Sequence, residues 1–284
     1  MAERRRFGLS DAELAAHPTV YATGSLAGQV AVVSGGGGGI GRATCWLLAR
    51  LGAHVIASGR RQDKLDSLLA GLHAAGLSAG SLVTDVRDAE AVGRLLDDVW
   101  ARHSRLDLLV NAAGGQFPSP ALDIPEKGWK AVIDTNLNGT WNAMQAAARR
   151  WRQAGQPGAI VNVVVVTQQG LYGLAHTIAA RSGVIGLSRN LAVEWAQYGI
   201  RINCIAPGAI ETDGWNVYPP EVAEEYPRSN PMRRAGTAWE VAEAAAYLGG
   251  PGARYVTGEV LHVAGGSQLW GEAWTFPKPE YFKE

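Results

Sequence analysis

Short apolar runs alternate with longer amphipathic stretches along most of this chain, and the two periods predict its elements. Residues 30–33 (VAVV) form a run of strand length that stops at five consecutive glycines, residues 35–39. Beyond Gly41 the apolar positions recur at helical spacing to about residue 51, so this stretch reads as strand, turn and helix. Further strands are predicted at residues 53–57, 80–84, 106–110, 159–166, 200–205 and 259–263. Helices are predicted at residues 61–75, 88–103, 137–152, 176–197 and 238–248. Such alternation implies an α/β fold in which a doubly wound parallel sheet is flanked by helices on both faces, with ligands held at the carboxyl ends of its strands. Residues 1–27 read as an N-terminal extension laid over the surface, residues 28–266 as one domain, and residues 267–284 as a tail. A proline-rich excursion at residues 211–235 breaks the alternation and reads as a substrate lid.

Composition narrows the class. Hydrophobic residues make up 47% of the 284 and charged residues 18%, a balance that can bury the core of one large soluble domain. Lys plus Arg equals Asp plus Glu at 26 each, so no global field recruits nucleic acid or an anionic membrane, and the short basic run at residues 4–6 does not change that. With no transmembrane run and no signal-peptide pattern, the expected location is cytoplasmic. The only two cysteines, Cys45 and Cys204, lack ligand or redox spacing; they read as buried thiols, and no metal site is expected. Trp141, Trp195 and Trp239 at helical positions read as packing residues.

The glycine turn carries the first candidate chemistry. Without Cβ atoms it can adopt φ above zero and approach a ligand closely, and the free N–H groups at the helix start favour a pyrophosphate. Gly35, Gly39 and Gly41 take separate roles in turning, approach and packing, and Ser34, Gly37, Gly38 and Ile40 complete the cradle. Sites that prefer NAD place an acid about 20 residues further on, whereas an arginine nearby suits a 2′-phosphate. Here Ser58 stands at that place and Arg60 and Arg61 follow, so NADP(H) is expected ahead of NAD(H). The alternative is that both arginines simply open a solvated helix. Asp85 ends the third strand. Asn111, Ala112, Ala113 and Gly114 end the fourth, where small side chains leave room for a ribose, and Gln116 follows at the substrate mouth.

Taken together, SGGGGGIG at residues 34–41, Asp85 with Val86, NAAG at residues 111–114, Asn136, IAPGAIET at residues 205–212 and VTGEVLHVAGG at residues 256–266 resemble the short-chain dehydrogenase/reductase family. The resemblance spans residues 28–266 and implies a single Rossmann-type domain. It also implies that Asn111 and Asn136 belong to the cofactor and active-site framework, that Pro207, Gly208, Ile210 and Thr212 hold the nicotinamide end, and that the protein is a homotetramer or homodimer. The aromatic tail, with Trp270, Trp274, Phe276, Tyr281 and Phe282, is expected to dock on a neighbouring subunit.

The chemical centre departs from that family's pattern of a serine after the fifth strand and a Tyr-x-x-x-Lys on the next helix. The register places Val164 or Val165 at the serine, Thr177 at the tyrosine and Arg181 at the lysine. AGGQF at residues 113–117, KGW at 127–129, DTNLNGTW at 134–141 and AHTIAARSGV at 175–184 are similar to the peroxisomal trans-2-enoyl-CoA reductase branch and to bacterial citronellol or citronellal dehydrogenases. The branch implies an NADPH-dependent reductase of an activated C=C bond, a 2-enoyl thioester. Alternatives are oxidation of an apolar alcohol such as citronellol and a non-catalytic NADP-binding sensor or scaffold. Candidate groups are Arg181 at the ribose, His176 as the nearby titratable side chain, Thr167 and Thr177 as hydroxyl donors, and Tyr172 beside the substrate. His176 and the threonines are equally compatible with structural roles at a helix start. Arg228, Arg233 and Arg234 are candidates for the phosphates of a CoA substrate.

Overall fold

In the computed structural model, which describes residues 7–271, 274, 275 and 280, the first apolar run becomes β1 (Val30–Ser34), buried along its whole length. It continues through the glycine turn into α2 (Gly39–Arg50), preceded in the extension by the short α1 (Asp11–Ala16). Next come β2 (His54–Gly59), α3 (Gln62–Ala74), β3 (Ala79–Val83), α4 (Ala89–His103) and β4 (Leu108–Asn111). Then α5 (Glu126–Ile133), α6 (Gly139–Ala154), β5 (Gly158–Val163), α7 (Ala175–Glu194) and β6 (Ile200–Pro207) follow. The two-residue strands β7 (Ile210–Glu211) and β8 (Gly236–Thr237) bracket a lid that contains α8 (Pro220–Glu225). The chain returns through α9 (Ala238–Gly249) to β9 (Val260–Val263).

Seven strands pair in the order β3-β2-β1-β4-β5-β6-β9, all parallel. Strand growth reverses direction between β1 and β4, which opens a crevice at their carboxyl ends. Alternation within β1 explains the two layers. Ala31 and Val33 face a core shared with α2, α3 and α9, while Val30 and Val32 face one built with α4, α6 and α7. Trp239 belongs to the first core and Trp195 to the second, with Trp141 packed at its edge, all as packing residues. Among the described residues no helix is long and apolar enough to cross a membrane, and no cluster of His, Cys, Asp and Glu is arranged to hold a metal.

Three departures from the sequence pattern matter for the site. β5 ends at Val163 rather than 166: Val164 donates its N–H to Ile205 O at 2.8 Å, and residues 164–166 then leave the sheet. α6 is preceded by α5 and joined to it through a π turn (Asp134–Asn138), a local widening that buries Asn136. The extension also carries its own helix, with a Ser10–Glu13 capping box. Asp11 accepts from the Arg42 guanidinium and from Trp46 Nε1 at 3.1 Å, and Arg50 donates to the carbonyls of Leu14 and His17. Further out, Phe7 packs against Trp215 of the lid with ring centres 5.6 Å apart, and Gly8 N donates to Glu211 Oε1 at 3.2 Å. The extension is therefore fastened to α2 at one end and to the lid at the other. Within the tail, Trp274 bridges to Tyr172, and Trp270 is exposed. Phe276, Tyr281, Phe282 and the basic run at residues 4–6 lie outside the described residues.

Candidate active site

The glycine turn is packed too closely for side chains. A Cβ at Gly35, where φ is +72°, would lie 2.8 Å from the backbone of Ala112, and one at Gly41 would lie 2.2 Å from Gly35 O. At Gly37 it would meet Lys64 Cβ at 2.9 Å. Gly38 forms the N-cap of α2 without any side-chain cap, so the first amides of a 12-residue helix stay available to an anion. Ser34 Oγ accepts from Ala113 N at 3.3 Å and ties the turn to the end of β4. Across the crevice, a Cβ at Gly39 would stand 3.5 Å from Thr212 Cγ2, so the turn and the start of the lid face each other.

The floor is built around Asn136 and Arg181. The Asn136 amide bonds both backbone groups of Gly115, accepting from N and donating to O, each at 3.0 Å. Arg181 is 7% exposed, and its Nη2 donates to Ala113 O at 3.5 Å, while Nη1 is buried with no partner among the described residues. Burial lowers its pKa to about 10, so it stays charged at neutral pH. No carboxylate pairs with it among the described residues. Asn111 plays another part: it donates to Asn162 Oδ1 at 2.8 Å and clamps β4 to β5.

A cavity of about 420 Å³ opens above this floor. Ile40, Ala112, Gly114, Gln116, Asn136 and Arg181 line one side, and Pro207, Gly208, Ile210 and Thr212 another, all singled out by sequence. The sequence pattern did not single out Leu171 and Leu174, or the lid's Trp215, Tyr218 and Tyr226, because the lid has no periodicity that marks inward positions. Val163 to Val166 complete a largely apolar wall.

A family profile described as enoyl-(acyl carrier protein) reductase matches residues 35–268. The chain belongs to the short-chain dehydrogenase/reductase family. It is 37% identical over 246 residues to a probable (2E)-enoyl-CoA-producing 2,4-dienoyl-CoA reductase of Bacillus subtilis, covering 85% of this chain and 97% of the relative. It is 34% identical over 241 residues to a 3-oxoacyl-(acyl-carrier-protein) reductase of Staphylococcus aureus, covering 84% and 98%. The solved structure of a citronellol catabolism dehydrogenase of Pseudomonas aeruginosa superposes with a TM-score of 0.79 at 35% identity, covering 88% of this chain and 99% of that one.

Members of the short-chain dehydrogenase/reductase family bind NAD(P)(H), and Arg60 and Arg61 follow the carboxyl end of β2, both exposed. Arg61 is held by Asp63 at 2.6 Å, whereas Arg60 makes no ion pair among the described residues. Arg87 grips Asp85 and holds its carboxyl below the usual range. Val86 packs under Gly139 instead of facing the crevice. Four candidate side chains sit away from the cavity. His176 and Thr177 are buried in the first turn of α7, where the imidazole Nδ1 accepts from Thr177 N at 2.8 Å and the ring meets Phe117 edge-on at 4.6 Å. Burial pushes the imidazole pKa down. Thr167 precedes Gln168, which reaches His262, and Tyr172 turns outward onto Trp274. Thr177 and Arg181, four residues apart, share one face of α7, so reach and local packing separate them: the long Arg181 side chain extends to the cavity, while the short Thr177 side chain, in the first turn of the helix, stays buried in packing. Arg228, Arg233 and Arg234 are exposed, none lines this cavity, and Arg234 is paired with Glu240.

Proposed function

We propose that this chain is an NADPH-dependent reductase of a C=C bond conjugated to a thioester carbonyl, a trans-2-enoyl- or 2,4-dienoyl-CoA. The observation that carries this reading is a buried guanidinium with no carboxylate partner among the described residues, in a largely apolar wall, beside a strand end that presents Val164 and Val165. Valine cannot donate a proton, so reduction of a ketone lacks its acid at that position. Reduction of an enoyl thioester asks for something else: stabilisation of negative charge on the thioester oxygen, which a fixed cation in a dry cleft provides.

The residues fit a dinucleotide, since the Gly35 cradle has no room for a Cβ and the start of α2 is uncapped. When bound, the reduced nicotinamide supplies a hydride to the substrate Cβ. Arg181 supplies positive potential beneath the reacting carbons, Asn136 holds the Gly115 backbone, and Cα takes its proton from water. Arg60, which makes no ion pair among the described residues although its charge reaches Asp85, takes the 2′-phosphate. Arg60→Ala is therefore expected to weaken NADPH roughly tenfold, the effect of losing one charged hydrogen bond, while leaving NADH nearly unchanged. Equal losses for both nucleotides in a fluorescence titration would remove the assignment. Self-association as a homotetramer or homodimer through α6 and α7 accompanies this reading.

The citronellol dehydrogenase neighbour favours a second reading, oxidation of an apolar alcohol. One assay separates them: NADPH consumption with crotonyl-CoA and with longer enoyl- and dienoyl-CoA, set against NADP reduction with citronellol. Turnover of thioesters alone is expected. Turnover of the alcohol alone replaces the proposal, and nucleotide binding without turnover of either points to a sensor.

A further inference from the structure

The lid places a phenol in the cavity. Tyr218 follows a 3-10 turn (Asp213–Val217) capped by the Thr212 hydroxyl. Tyr226 lies against it nearly parallel at 5.7 Å, and Trp215 meets Tyr226 edge-on at the same distance. All three rings line the cavity that also holds Arg181 and Gln116. The Gln116 side-chain Nε2 donates to Tyr218 Oη at 2.5 Å. An amide N–H can only donate, so the phenol oxygen accepts and its own hydrogen is left for another acceptor. Among the described residues the Tyr218 hydroxyl has no second hydrogen-bond partner. Burial raises the phenol pKa and the Gln116 bond draws it partly back, so the hydroxyl keeps its proton at neutral pH.

We infer that Tyr218 is a catalytic residue whose O–H donates to the substrate's thioester oxygen, with Gln116 as the residue that positions it. The inference rests on the enoyl-reductase reading. Hydride arrives at Cβ, the C=C electron pair moves to form the Cα–carbonyl double bond, and the carbonyl pair moves onto oxygen. The Tyr218 hydrogen bond and the Arg181 charge meet the developing negative charge there. Water gives Cα its proton, the carbonyl reforms, and Tyr218 is unchanged at the end. The phenol thus acts from the lid, so the donor set is complete only when the lid is seated.

The test uses Tyr218→Phe and the full-length chain. Infrared difference spectra of bound crotonyl-CoA should show a lowered carbonyl stretch in the wild type that is lost in the variant, a readout that a purely structural tyrosine would not move. The kcat for crotonyl-CoA should fall roughly 100-fold, as for loss of one oxyanion donor, with NADPH affinity unchanged. Gln116→Leu, which leaves the phenol in place but releases it, should give a smaller loss of both signals and serves if Tyr218→Phe does not fold. A wild type that reduces enoyl thioesters, with variants that match it in kcat and carbonyl stretch, overturns the role of Tyr218 alone. A wild type that reduces no enoyl thioester overturns the underlying reading together with it.

Discussion

Gly114 has no space for a side chain because Arg181 occupies that space. A Cβ there would fall 2.2 Å from the guanidinium Nη2 and 3.2 Å from Asn136 Oδ1. The loop after β4 thus owes its path to Asn136, which bonds Gly115 on both sides, and its bareness to Arg181. Gly114→Ala should displace the guanidinium and weaken NADPH at least tenfold, a loss of about 1.4 kcal/mol or more, measured by fluorescence titration. Unchanged affinity would mean that Arg181 takes no part in nucleotide binding. At this scale the sequence was legible where backbone geometry demanded one residue type, as at Gly35 and Gly41. It was not legible where the reach and surroundings of a side chain decided the role. His176 and Thr177 lie one turn before Arg181 on the same helix, yet they pack against Phe117 and the protein interior.

Among the elements, the extension and the lid depend on each other. Sequence marked both segments by their lack of period, and for the same reason could not show that Phe7 meets Trp215 or that Tyr218 turns inward. Two substitutions separate the extension's anchor from its reach. Asp11→Ala removes the partner of Arg42 and of Trp46 Nε1, in a pair whose Arg42 side chain is only 15% exposed. It should cost about 1–3 kcal/mol in urea unfolding. Phe7→Ala removes a ring from the back of a cavity wall residue. It should leave global stability nearly unchanged while raising KM for the acyl substrate several-fold, since Trp215 loses its support. If Phe7→Ala changes neither, the extension does not reach the chemistry.

For the whole molecule, burial and ion pairing of titratable groups make stability fall on both sides of neutrality. The doubly wound parallel sheet was legible from alternation, but these pKa shifts depend on packing that no local pattern encodes. On the acid side, the Arg87 and Arg234 hydrogen bonds hold Asp85 and Glu240 below their ordinary values, and burial lowers His54, His176 and His262. In each case the unfolded chain takes up its proton first, so stability declines as pH falls from about 6.5, first through the histidines and then through the carboxylates. On the alkaline side, burial pushes Cys45 up to about 12 and Cys204 up to about 11. Above about pH 8.5 the unfolded chain loses these thiol protons while the folded protein keeps them, which removes roughly 1.4 kcal/mol per thiol per pH unit. The raised phenols of Tyr21, Tyr218 and Tyr226 add to that slope above about pH 10. Urea unfolding at pH 8 and at pH 10.5 should therefore show a marked loss in the wild type. The double variant Cys45→Ala, Cys204→Ala should start lower at pH 8, because both side chains are fully buried and leave cavities, and then decline less steeply. Parallel slopes for the two proteins would show that the thiols do not carry the alkaline loss.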